Sequence, residues 1–364
     1  MRKLAHIEKI EWIRPIEGAD RIELAGVLGW QCIVKKSEFQ VGDKCVYIEI
    51  DSIVDKDNPD FAFLEAKHYK IKTQKMRGVL SQGIIFPLSI LPERNYEIGE
   101  DVTKTLKITE VEDEMPDETP KQNRVKSPII RFFMRFKWFR TLVLGKKKAA
   151  RNFPNWIVKT DETRLQNMPF VLDQYKSKKM ILTEKIDGTS GSYGLSKINS
   201  RKHEFAICSR NVRQEPINVK HPQMDNVYIE MAVKHNMEKI LVDLSERYRA
   251  STVVLQGEIV GEGIQKNKYN IKGHKFLGFN LVLDGKKIDS GVAQYILKDY
   301  GIEWVPIISE NFTLLPTVNE MIEYADGQSV LSPNTPREGL VIRDHKNTVS
   351  FKCISNAFLL HYKI

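Results

Sequence analysis

Cysteine is scarce: there are four in 364 residues, Cys32, Cys45, Cys208 and Cys353, and no two form a Cys-x-x-Cys pair. That spacing argues against a zinc site or a disulfide framework and leaves buried free thiols as the expectation. Long apolar runs are also missing. None reaches the roughly 18 residues needed to cross a bilayer, and residues 1–8 lack the apolar core of a signal peptide, so a cytoplasmic protein with no membrane association is expected. Acid is absent from one stretch: residues 121–151 hold eleven lysines and arginines and no Asp or Glu. Taking these eleven from the net charge of +9 leaves −2 elsewhere, so a single segment carries the basic excess. A polyanion partner is one reading, through phosphate neutralisation and counterion release, and a solvated linker is the other. The segment mixes Phe132, Phe133, Phe136, Trp138 and Phe139 with its bases and has no clean polar face. Docking on the protein itself or on RNA therefore suits it better than bilayer insertion.

The chain is 41% hydrophobic and 28% charged, a soluble globular balance, and its length suits two domains. Residues 1–105 contain short β-type runs at 7–13, 21–28, 30–35, 44–50 and 78–87, separated by Gly and Asp turns. This pattern predicts a small all-β barrel of the OB type. Between two of those runs, residues 67–77 set Lys70, Lys72, Lys75 and Arg77 in one stretch with Tyr69, a mixture suited to the phosphates and base faces of a single strand. An ordinary exposed hairpin is the alternative. Residues 106–152 read as a linker, first acidic and proline-bearing, then basic. Over 153–364 strands and helices alternate, giving an α+β domain with expected strands at 180–184, 204–208, 252–260, 275–282, 339–343 and 348–351. A mostly helical segment spans 224–249, with an interruption near His235-Asn236.

The chemistry centres on Thr183-Glu184-Lys185-Ile186-Asp187-Gly188, where an apolar strand ends in a turn dipeptide that directs one lysine into a cleft. By itself such a lysine also fits a solvated surface position. Four later stretches bear on it: Arg210 after a strand, Glu258 within Gln256-Gly257-Glu258-Ile259-Val260-Gly261, Glu338 before Gly339, and Lys352 on a second strand. In this order they resemble the motif series of the covalent nucleotidyltransferases, which comprise ATP-dependent RNA and DNA ligases and mRNA capping enzymes. The first hundred residues and the lead-in Lys159-Thr160-Asp161-Glu162-Thr163-Arg164 are similar to RNA ligases with an N-terminal OB domain. Only 12 residues follow Lys352, too few for the OB domain that DNA ligases and capping enzymes place after this last motif.

The resemblance implies an ATP-dependent RNA ligase that uses ATP and a divalent metal, Mg2+ or Mn2+, to repair broken or nicked RNA, acting as a monomer. Lys185 would be the nucleophile. Glu184 would meet the adenine and Phe276 its face, Arg210 the ribose or a phosphate, and Lys352 the α-phosphate. Asp187 with Gly188, Glu258 and Glu338 would complete the ATP site, and the three acids would hold the metal. An ordinary lysine titrates near about 10.4, so activation by burial, the metal and Lys352 is expected. The sequence departs from many RNA ligases at Ile354, where they carry a second lysine, and Lys346 is a candidate replacement. The competing expectations are an RNA-binding protein that keeps the fold without turnover, and a DNA ligase.

Overall fold

The computed structural model describes residues 3–111, 153–199, 202–214 and 226–362. The basic segment 121–151 lies outside them. Eleven strands build the N-terminal domain, an OB-type barrel as expected: β1 (Ala5–Lys9), β2 (Trp12–Pro15), β3 (Ile22–Val27), β4 (Trp30–Lys35), β5 (Lys44–Ile48), β6 (Ser52–Ile53), β7 (Lys70–Ile71), β8 (Gln74–Met76), β9 (Val79–Ser81), β10 (Ile84–Pro87) and β11 (Thr109–Glu110). They pair antiparallel in the orders β1-β5-β10, β2-β3-β4, β11-β6-β7 and β8-β9, around Ile7, Trp30, Tyr47 and Phe61. Two expected runs are each split. The run 7–13 changes sheets at Ile10-Glu11, whose amides donate to the carbonyls of Asp43, just before β5, and Gly26 of β3. The run 78–87 breaks at Gly83, where φ is +101° and a Cβ would lie 2.5 Å from the Tyr47 ring.

The C-terminal domain has two sheets. The smaller orders β12 (Thr163–Arg164), β23 (Ser350–Ile354), β22 (Gly339–Asp344), β13 (Lys179–Lys185) and β21 (Ile307–Thr313) side by side. The larger runs β16 (Arg213–Gln214), β15 (Lys202–Cys208), β14 (Thr189–Asn199), β17 (Thr252–Gly261), β18 (His274–Leu283) and β19 (Lys286–Lys287), with β20 (Glu303–Trp304) also on β18. Strands β14 and β21 were not expected. β14 is rich in Ser and Gly and shows no alternation, yet β15 and β17 pair with it on both sides and override its weak local preference. The helical stretch 224–249 resolves into α2 (Val227–Lys234) and α3 (Met237–Arg247), following α1 (Val171–Tyr175). The break between them is Asn236, in the left-handed region at φ 51°.

Helices α2, α3 and α4 (Ser290–Lys298) cover one face of the larger sheet, burying Tyr193, Leu241, Leu255 and Leu297. Helices α1 and α5 (Val318–Ala325) cover one face of the smaller sheet, over Met180, Leu182, Leu340 and Phe351. Buried Arg343 stitches the two sheets together, donating from Nη1 to the Phe279 carbonyl at 2.9 Å and from Nη2 to Glu162 at 3.1 Å. The barrel docks on the last helix, α6 (Asn356–Tyr362): Leu80 of β9 packs with Ile354, Phe358 and Leu359. A second tie is Asn167 Nδ2, which donates to Glu49 of the barrel at 3.2 Å. All four cysteines are free and buried, as expected. Among the described residues no helix is long and apolar enough to cross a membrane.

Candidate active site

Strand β13 is apolar on both faces until its last residues because it is central, with β22 on one side and β21 on the other. Its pairing with β22 is regular from Met180 to Lys185, so alternate residues face opposite ways. Met180, Leu182 and therefore Glu184 face the helices α1 and α5, whereas Thr183 and Lys185 face the other way. The register sets Lys185 beside Gly339 and Ile354, and Thr183 beside Val341 and Lys352. Lys185 and Lys352 thus share one face, on two strands that flank β22 and are far apart in sequence.

Lys185 Nζ donates to Glu338 Oε1 at 2.7 Å, and both side chains are largely buried. The turn after it brings Gly188 N–H to Glu258 Oε1 on the opposite sheet, at 3.1 Å. Burial pushes Glu258 up to about 8; the pull of Lys185 offsets part of this, and the neighbouring Glu338 and Asp187 charges add to it. Burial raises Glu338 also. For Lys185 burial acts downward, but Glu338 and Glu258 outweigh it and hold the ammonium above the ordinary lysine value. Burial alone therefore does not bring about the expected activation: the acids around Lys185 keep it charged. Lys352 is the lysine that is lowered, by burial and by repulsion from Lys185, against the attraction of Asp161.

Asp161, in the lead-in, bridges two expected phosphate contacts. It accepts from Lys352 Nζ at 2.9 Å and from Arg210 Nη2 at 3.1 Å. The two residues expected to meet the base are both buried. Glu184 is 1% exposed on the reverse face, where its carboxylate accepts from the Val330 amide at 2.9 Å. Phe276 is 1% exposed, with its ring edge-on to Tyr193 at 5.3 Å in the helix-covered core, so it offers no face to a base. Lys346 is exposed on the turn joining β22 and β23, at the end remote from Gly339 and Ile354, and does not stand in for a lysine at 354.

A lysine that the sequence did not single out does reach the site. Lys268 pairs with Asp187, and Tyr269 Oη accepts from the Asp187 amide at 2.8 Å. Nothing in the local sequence marks these two residues, since they arrive on an irregular loop between β17 and β18. On the barrel, Lys70 and Lys72 lie on and after β7 and Lys75 and Arg77 on and after β8. Of these, Lys75 donates to the Leu360 carbonyl of α6 at 2.8 Å and Arg77 to the Gly18 carbonyl.

Among the described residues no three acids, histidines or cysteines converge tightly enough to coordinate a metal together. The acids around Lys185 nevertheless fit a hard divalent cation. Glu338 Oε2 is buried with no hydrogen-bond partner, and burial, with the neighbouring Glu338 and Asp187 charges, raises Glu258. A cation such as Mg2+ takes one or two carboxylates and keeps its other ligands from water and phosphate.

Comparison with known proteins agrees with this geometry. An OB-fold domain model matches residues 4–88 and an RNA ligase model matches residues 178–355. Solved structures of a Naegleria gruberi RNA ligase are similar over the whole chain. The form with PPi is 30% identical with a TM-score of 0.74, and covers 100% of this chain and 99% of that one. A mutant with AMP and Mn has the same identity and coverage with a TM-score of 0.75. Another mutant, with ATP and Mn, is 30% identical with a TM-score of 0.75 and covers 99% of each chain. No curated protein matches the chain.

Proposed function

Because the chain belongs to the RNA ligase family, we propose that it seals RNA breaks with ATP through an AMP carried covalently on Lys185. The observation that carries this reading is the convergence on the Lys185 amine of Glu338, just before β22, Glu258 of β17 and Lys352 of β23. ATP and a divalent metal are the cofactors that the reading requires, and the Naegleria gruberi ligase structures with ATP and Mn support both.

In the first step Lys185 Nζ bonds to the α-phosphorus of ATP, the bond to the bridging oxygen breaks, and pyrophosphate leaves. The 5′-phosphate of an RNA strand then takes the AMP from the lysine, and a 3′-hydroxyl displaces AMP to form the phosphodiester. All three are displacements at phosphorus, where positioning and charge neutralisation supply most of the catalysis. Lys185 must first lose its proton, which Glu338 and Glu258 oppose. A divalent cation, when bound, neutralises carboxylates and phosphate oxygens, and Asp187, Glu258 and Glu338 are the groups suited to hold it. Lys352 and Arg210 are suited to phosphate oxygens once these displace Asp161. The intact set of Lys185, Glu258, Glu338 and Lys352 favours an enzyme over a non-catalytic RNA-binding relative.

Incubation with α-labelled ATP and Mn2+ tests the reading. The wild type is expected to take up label and Lys185→Ala to take up none. An unlabelled wild type sinks the proposal, and preferential sealing of nicked DNA over nicked RNA transfers it to a DNA ligase.

A further inference from the structure

Lys268 has no assigned role, and its setting is unusual for a lysine. Its side chain is 7% exposed, its ammonium lies 4.8 Å from the ring centroids of both Phe358 and Tyr362 on α6, and it pairs with Asp187. The backbone that delivers it is held away from its easiest conformation. Gln265, Lys266, Asn267 and Asn270 all lie in the left-handed region, at φ 43°, 61°, 48° and 52°. Each such residue costs on the order of 1 kcal/mol or more and persists only where its surroundings over-determine it. Here Asn267 does so from both ends of its amide, bonding the Ile271 carbonyl at 2.9 Å and the Ile271 amide at 3.0 Å. Thr335 Oγ1 holds the Lys268 carbonyl at 3.1 Å. The result is that two consecutive residues, Lys268 and Tyr269, grip one residue, Asp187, by its carboxylate and its amide.

We propose that Lys268 is a positioning residue that holds Asp187, and with it the turn bearing Lys185, and that a divalent cation competes with its ammonium for the Asp187 carboxylate. The cage of Phe358 and Tyr362 keeps the charge at that point by facing it with two ring surfaces. The proposal rests on the ligase reading only for the presence of a cation.

Its first readout needs neither ATP nor RNA. Mn2+ is titrated into the full chain and free Mn2+ followed by electron paramagnetic resonance, for the wild type, Lys268→Met and Lys268→Arg. Methionine keeps the length and packs on the two rings, while arginine keeps the charge as well. Loss of the ammonium is expected to tighten Mn2+ binding about tenfold, and Lys268→Arg to stay within about threefold of the wild type. In label uptake, Lys268→Met is expected to lose about tenfold in kcat with KM for ATP little changed, and Lys268→Arg to restore it. Mn2+ affinity in Lys268→Met that is equal to or weaker than the wild type overturns the proposal, as does Mn2+ bound by neither protein. A wild type that takes up no label while Lys268→Met still binds Mn2+ more tightly removes the ligase reading and leaves this one standing.

Discussion

Gly188→Ala is a direct test of how closely the turn after Lys185 must approach the opposite sheet. Gly188 donates to Glu258 at 3.1 Å, and a Cβ built on it would lie 2.4 Å from the Ile259 carbonyl oxygen, 2.8 Å from Glu258 Cγ and 2.9 Å from Val260 Cγ1. Ordinary contact begins at 3.4 Å, so the turn must withdraw by about 1 Å. Strand β17 cannot yield instead, because β14 and β18 pair with it on both sides. Overpacking of this kind costs about 1–3 kcal/mol of stability, and for a domain of this size the melting temperature falls by about 2–4 °C per kcal/mol. The larger effect is on reaction, where a displacement of about 1 Å at the attacking group costs about 100-fold. The assay is single-turnover uptake of α-labelled ATP at saturating nucleotide, run well below the melting temperature of both proteins. Uptake within about threefold of the wild type, in a folded Gly188→Ala protein, refutes the argument that close approach needs glycine here.

Two further outcomes concern charge. In the barrel, His6 is buried against Glu8 and Glu49; burial lowers its pKa, but the two carboxylates win and raise it to about 9. A folded pKa above the unfolded 6.5 gives stability that is fully present below pH 6.5 and lost as pH rises through about 9, worth about 3 kcal/mol. Ring NMR, with the resonance assigned by its loss in His6→Gln, and urea unfolding at pH 6 and pH 10 check this; a midpoint at or below 6.5 contradicts it. In the cleft, Asp161→Asn removes the carboxylate that bridges Lys352 and Arg210, and because the pair with Arg210 is exposed the expected gain is modest: KM for ATP in label uptake falls about threefold. An unchanged or higher KM means that Asp161 does not compete with phosphate.

Much of the site was legible because its signals are local. A strand running into Asp187-Gly188, a carboxylate between glycines at 258, an acid before Gly339 and a strand-borne Lys352 each follow from residue type and neighbours. The barrel was legible for the same reason, as short runs between turn residues, and so was the break at His235-Asn236. What remained hidden depends on partners distant in sequence. Parity along a strand shows that Glu184 and Lys185 face opposite ways, but only the packing of α1 and α5 decides which face is the reverse one. Phe276 is aromatic and correctly spaced, yet the helices over β17 and β18 enclose it with Tyr193. Strand β14 exists because two neighbours satisfy its backbone, although its own side chains argue weakly for a strand. The sequence by itself determined the residue types of the site and their order. Only the tertiary structure decided that Asp161 spans two cations and that Lys268 reaches Asp187, because those contacts are set by loop geometry and sheet pairing across 49 to 191 residues of chain.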